Sequence, residues 1–242
     1  MPHKTKPKSF FDVIYGLARK MNNSLKIRHI NKIKSNGNML DYGAGVGYFA
    51  DHAKSKGWSV EAFETDIDCK KTLKERKITA AVEKLCKNRY DVITMWHVLE
   101  HLQNPKKTLE KLYNSLKPTG RVFVAIPNHS SWDAQHYKEN WAAFDVPRHI
   151  WHYNKNSFHK LIKQTGFTIE KTSPMLIDAF YISIISEKYC KSSFPFLKGT
   201  IKGLYSNLKG IMNNNTSSLL FCLKKTNLRP FKRPLYKKGG EA

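Results

Sequence analysis

The chain has 242 residues, 40% of them hydrophobic and 12% aromatic, enough to build one large packed domain and too apolar for a disordered chain. Its formal charge of +23 invites an anionic partner, but no basic motif interleaved with aromatic residues accompanies it, so nucleic acid is possible and not favoured over simple solvation. The cysteines (Cys69, Cys86, Cys190 and Cys222) form no Cys-x-x-Cys pair, which argues against a zinc site and a disulfide framework and makes the cytoplasm the expected location.

Residues 1–36 form an N-terminal helical cap. The stretch 1–34 is basic, net +8, and no apolar signal core follows its first residues, so secretion is not expected. Phe10, Phe11, Ile14, Leu17, Ala18 and Met21 recur at helical spacing and predict a helix over 9–35, closed by Asn36-Gly37. From there to residue 226, short apolar runs alternate with amphipathic stretches, the pattern of a parallel sheet with crossover helices. Strands are predicted at 38–42, 58–64, 78–82, 90–96, 120–126, 167–172 and 217–224. Asn104 and Pro105 open a helix whose face is Leu109, Leu112, Tyr113 and Leu116. Asn154 caps a second helix, with Phe158, Leu161 and Ile162 on one side and Gly166 as its left-handed stop. Residues 178–214 read as a helical, partly irregular insertion before the last strand. The longest apolar run, 175–185, carries Asp178 and is about half of the roughly 20 residues a membrane span needs, so no transmembrane segment is expected. Residues 227–242 form a basic tail; with Lys224 and Lys225 this end carries net +6.

The loop after the first strand reads Asp41-Tyr42-Gly43-Ala44-Gly45-Val46-Gly47-Tyr48. Its glycines let the backbone turn sharply and approach a ligand, with N–H groups at the next helix start available as donors. In the dinucleotide register Gly-x-Gly-x-x-Gly the third position falls on Tyr48, too bulky for close helix–strand packing. Asp41 would be unhelpful beside a pyrophosphate and is acceptable near an ammonium group. The second strand ends in Glu64, which can accept hydrogen bonds from both hydroxyls of a ribose, or simply be a solvated charge.

Leu40–Gly47 resembles the first motif of class I S-adenosylmethionine-dependent methyltransferases, and Tyr90–Leu102 resembles the fourth-strand motif of that family. Pro147-Arg148-His149-Ile150-Trp151-His152-Tyr153, leading into a helix and Gly166-Phe167, is similar to the ubiquinone-biosynthesis O-methyltransferase-like branch. The resemblance spans roughly residues 36–172. It implies a Rossmann-like class I methyltransferase fold, α/β, with a mostly parallel seven-stranded sheet and helices on both faces. It also implies S-adenosyl-L-methionine as cofactor and S-adenosyl-L-homocysteine as product. Gly43, Gly45 and Gly47 would then line the methionine part, Asp41 would shape the loop, Glu64 would hold the ribose, and Trp96 and His97 would border the reacting sulfur. Near the adenine, Glu83 is the one acidic candidate and is left unassigned.

Methyl transfer to an alcohol or phenol benefits from a general base, and the loop after the fifth strand offers His129, Asp133, His136, Asp145, His149 and His152. His149 is the first choice as catalytic base, with Arg148 and His152 as substrate contacts; tethering of the loop by these residues is the alternative. His101 and Glu100 read as structural. Trp132, Trp141, Phe144 and Trp151 either close the pocket or pack the core. No metal is expected, because no carboxylate triad of the catechol type is present. The Asn/Asp-Pro-Pro-Tyr signature of amide-nitrogen methylation is missing, and no cysteine lies in the motif loops for covalent chemistry. The sequence therefore points to methylation, at oxygen, of a small molecule or a glycan or lipid precursor, with 178–214 covering the acceptor. The alternatives are a tRNA or rRNA methyltransferase using the basic termini, or a non-catalytic S-adenosylmethionine-binding protein. Oligomeric state is not legible.

Overall fold

The computed structural model describes residues 10–226. Helix α1 (Phe10–Asn31) leads into strand β1 (Gly37–Tyr42), then α2 (Tyr48–Ser55), β2 (Trp58–Phe63), α3 (Ile67–Glu75), β3 (Thr79–Ala80) and β4 (Tyr90–Trp96). After these come α4 (Pro105–Ser115), β5 (Leu116–Pro127), α5 (Trp132–Tyr137), α6 (Lys155–Ile162), β6 (Phe167–Pro174), α7 (Leu176–Tyr189), α8 (Pro195–Met212) and β7 (Ser218–Lys225). The strands form one seven-stranded sheet in the order β3-β2-β1-β4-β5-β7-β6. β1, β2, β3, β4 and β5 pair in parallel, whereas β7 is antiparallel to both β5 and β6, so the sheet is mixed. The reversal is physical: β6 reaches β7 through a pair of helices that returns the chain on the same edge, without a crossover.

Successive side chains of a strand point to opposite faces, and here both faces are covered. Leu40, Ile93, Val124 and Phe221 join Leu109 and Leu112 of α4 and Phe158 of α6 in one core layer. Their neighbours Met39, Val92, Phe123 and Leu220 join Phe49 and Ala53 of α2 and Ile27 and Ile30 of α1 in the other. Helix α1 is thus fastened to the sheet by Ile27 and Ile30 of its last turns, whereas Leu17 and Met21 of the predicted face are exposed. The predicted strand 78–82 is shorter in the structure, only Thr79–Ala80, because Val82 is exposed and an edge strand gains little burial there. The predicted insertion is a helical hairpin of α7 and α8, and among the described residues no helix is long and apolar enough to cross a membrane. The predicted basic tail, 227–242, lies outside the described residues.

Candidate active site

The carboxyl ends of β1, β2 and β4 converge on one edge of the sheet, the ligand side of such folds. Gly43, Gly45 and Gly47 all have positive φ, and Gly43 N–H bonds Phe63 O at 2.8 Å, tying the loop to the end of β2. A Cβ at Gly43 would strike Val98, and one at Gly47 would strike Leu73, so these two glycines serve close packing. A Cβ at Gly45 meets no protein atom within 4 Å: this glycine faces open space. Its N–H donates to Glu64 Oε2 at 2.7 Å, while Glu64 Oε1 accepts the N–H groups of Thr65 and Asp66. Glu64 therefore stands at the tip of β2, fixed by backbone donors. It also borders an 880 Å³ cavity between α3 and β2–β3 whose lining includes Glu83, the residue left unassigned above.

Asp41 is buried, and its Oδ1 accepts the Thr94 hydroxyl at 2.8 Å. Burial pushes its pKa up to about 6 despite that hydrogen bond and the Lys26 charge. Lys26, on α1, comes from outside the motifs. Its ammonium lies 4.6 Å from the centre of the Trp96 ring, and burial lowers its pKa against the opposing charges of Asp178 and Asp41. The Trp96 indole N–H is buried with no hydrogen-bond partner. A cation, an orphan donor and a carboxylate thus gather beside the glycine loop.

His97 follows β4 with φ of 55°, a left-handed conformation that non-glycine residues adopt sparingly. Its Nε2 is 2.9 Å from Asp178 Oδ2 on α7, and its Nδ1 is 3.4 Å from Glu100 Oε1. Burial alone would lower its pKa; the Asp178 bond and charge, then Glu100, outweigh it and raise it to about 9. The imidazole is therefore charged at neutral pH and clips the first helix of the hairpin to the end of β4.

Glu100 is buried, and neither carboxylate oxygen accepts a well-formed hydrogen bond. Around it stand His101 and His149, whose rings meet edge to face at 4.5 Å. One ligand atom from each of the three groups lies within 4.8 Å of the others. One carboxylate and two imidazoles at this spacing can share a proton or a divalent cation. His149 Nδ1 is 2.8 Å from Ala143 O; a carbonyl only accepts, so Nδ1 carries the proton and Nε2 keeps a lone pair. His101 Nδ1 donates to Arg148 O in the same way. Burial lowers the His149 pKa, with the Ala143 bond opposing, which keeps the ring neutral near pH 7.

Of the other sequence candidates, Asp145 reaches that cluster, its Oδ2 lying 3.8 Å from His149 Nε2, and Arg148 touches it through its carbonyl, which accepts from His101. Arg148 is 74% exposed and donates to Asp145 Oδ1 at 2.5 Å, and His152 Nε2 bonds Phe144 O at 3.0 Å. Asp133 is a buried tie that accepts from Trp141, Ser206 and Ser217, which joins the loop to α8 and β7. Trp141 is core, Trp132 stacks on His136, and Trp151 bonds Leu102 O. The structure thus brings Asp41, Gly45, Glu64, Trp96, His97 and His149 to one edge and adds Lys26, Glu100, His101 and Asp178. Glu100 and His101 had a usable signal, three and four residues after His97 just past a strand. Asp178 was the one charge in an apolar run. Lys26 had none, being one lysine among many.

A family model described as a methyltransferase domain matches residues 17–172. The chain is 24% identical over 184 residues to a ubiquinone biosynthesis O-methyltransferase of Rickettsia bellii, covering 65% of this chain and 75% of that one. Its fold is like that of a Haemonchus contortus phosphoethanolamine N-methyltransferase 2 solved with phosphomonomethylethanolamine and S-adenosylhomocysteine: TM-score 0.58, 20% identity, 86% of this chain and 53% of that one. This chain spans only about half the length of that enzyme. It is also like an S-adenosylmethionine-dependent methyltransferase from Archaeoglobus fulgidus, with TM-score 0.59, 16% identity, 90% of this chain and 100% of that one.

Proposed function

Since the chain belongs to the methyltransferase-domain family, we propose that it transfers the methyl group of S-adenosylmethionine to an oxygen of a small molecule or of a glycan or lipid precursor. The residues at the sheet edge fit that cofactor. Open space at Gly45 suits close approach of a ligand, and Glu64 suits a ribose. Lys26 and the orphan Trp96 N–H suit the carboxylate of the methionine part, and Asp41 suits its ammonium. The cofactor supplies a methyl carbon already activated by a sulfonium.

The observation that carries oxygen as the acceptor is the neutral His149, whose Nε2 lone pair has only the Asp145 carboxylate near it, at 3.8 Å, beside the buried carboxylate of Glu100. His149 takes the acceptor's O–H proton as the C–O bond forms and the C–S bond breaks, and the Glu100 charge stabilises the imidazolium that results. The Rickettsia relatives named as O-methyltransferases support the same direction. The test pairs calorimetry of S-adenosylhomocysteine with labelled-methyl transfer to a panel of phenols and alcohols. His149→Ala should cut turnover by about a hundredfold, the usual share of a general base, with product affinity unchanged. Gly45→Val should abolish binding, and Glu64→Ala should weaken it by about 1–3 kcal/mol. Full turnover in folded His149→Ala, or transfer only into RNA and lost on deleting 227–242, would overturn this reading.

A further inference from the structure

Helix α8 presents its small residues to the protein and its large ones to the outside. Gly199, Gly203, Ser206, Asn207 and Gly210 form the inner face. A Cβ at Gly199 would come within 2.5 Å of the Ile184 backbone, and one at Gly203 within 2.8 Å of that of Phe180. Ser206 bonds Asp133 at 2.7 Å and Asn207 bonds Leu176 O at 2.8 Å, so the rotation of the helix about its axis is fixed. Opposite this face lies a continuous stripe: Leu197, Ile201, Leu204, Leu208, Ile211 and Met212, each more than half exposed, Met212 at 81%. The spacing by three and four runs the length of an 18-residue helix, about 27 Å. A contiguous exposed apolar stripe of this kind, rimmed by polar residues, marks an interaction surface.

The segment that carries it has charges of one sign only. Between Glu187 and Thr226 there is no Asp or Glu, and Lys198, Lys202 and Lys209 follow one flank of the stripe; Lys202 is paired with Glu187 at 2.6 Å, which leaves Lys198 and Lys209 to face outward. Pairing two copies through α8 would set these lysine rows beside one another, which disfavours a symmetric dimer on this face. An apolar stripe edged by lysines, too charged and too short in apolar run to span, matches an interfacial helix on an anionic bilayer.

We infer that the outward face of α8 docks the protein onto anionic phospholipid membranes, with the apolar stripe entering the headgroup boundary and Lys198 and Lys209 meeting lipid phosphates. The inference is independent of the acceptor. It gives the hairpin two jobs: α7 holds the active site through Asp178, and α8 holds the membrane.

Flotation of the full chain with phosphatidylcholine vesicles, with and without phosphatidylglycerol, tests it. Binding should require phosphatidylglycerol and fall steeply with salt. Ile201→Asp combined with Leu204→Asp should lower partitioning at least about tenfold, and Lys198→Gln about fivefold. Both changes lie on the exposed face, so circular dichroism and the affinity for S-adenosylhomocysteine should stay as in the wild type. Failure to bind anionic vesicles at low salt overturns the inference. So does binding that ignores these variants and disappears with residues 227–242. A concentration-dependent dimer in sedimentation, abolished by the Asp pair without any vesicle binding, would reassign the face to a second copy.

Discussion

The two ends of β4 carry acids in opposite states. At its start, Asp91 receives Lys34 and Lys117 at 2.8 Å each and the Asn38 N–H at 2.9 Å. Burial pushes its pKa up, but the two lysines and the amide overcome this and hold it at about 2. Past the other end, Glu100 is buried without a well-formed hydrogen bond, with only the charged His97 at 3.4 Å to offset it, and Asp41, on the adjacent strand β1, is lifted to about 6 by burial. A fold left to maximise stability would satisfy or remove such groups. The amino end of the sheet does so. The carboxyl end keeps some of its polar groups, the Trp96 N–H and the Glu100 carboxylate, without a hydrogen bond, which is the state in which a group can still meet a ligand.

The sharpest way to break this contrast is Glu100→Gln. Turnover should fall by about a hundredfold or more as the charge supporting His149 is lost. Thermal stability should stay within about 1 kcal/mol, because the desolvation cost of the buried carboxylate is relieved as its contact with the charged His97 is lost. Kinetics beside a melting curve decides it. A collapse in melting temperature that accounts for the lost activity would make Glu100 a packing residue like Asp91.

Stability against pH should separate the two ends by sign. The folded pKa of Asp91 lies below its ordinary value of 3.8, so its contribution is present above that value and lost as pH falls toward about 2. Asp91→Asn should therefore cost about 2 kcal/mol near neutrality, and the difference from wild type should vanish in acid. Asp41 is the reverse: its folded pKa is raised, so its contribution is present below 3.8 and lost as pH rises through about 6. Asp41→Asn should gain on the wild type as pH rises through that window. Denaturant melts between about pH 2 and 8 measure both, and slopes of the same sign would erase the comparison.

The smallest effect is expected at Arg148. Its pair with Asp145 is mostly exposed, so Arg148→Ala should change stability by less than about 0.5 kcal/mol. Turnover and KM should stay within about twofold, a change too small to report a lost charged contact. A KM rise of tenfold or more for an acidic acceptor would return Arg148 to the substrate.

The αβ alternation, the glycine loop, the acid at the tip of β2 and the pair Trp96-His97 are legible along the chain alone. These depend on neighbours along the chain: apolar runs of strand length, positive-φ positions only glycine takes easily, and residues just past a strand end. The packing of the folded chain sets which loop residues meet one another. His149 met Glu100 and His101, whereas Arg148 and His152 were taken by carbonyls and an acid of their own loop. It also decided the reversal of β7, the arrival of Lys26 and Asp178 at the site, and the outward turn of the α8 stripe. The α8 pattern shows why: a stripe at helical spacing reads as a core face in sequence. Its direction is set by which side has glycines small enough to let α7 approach, a matter of packing between helices.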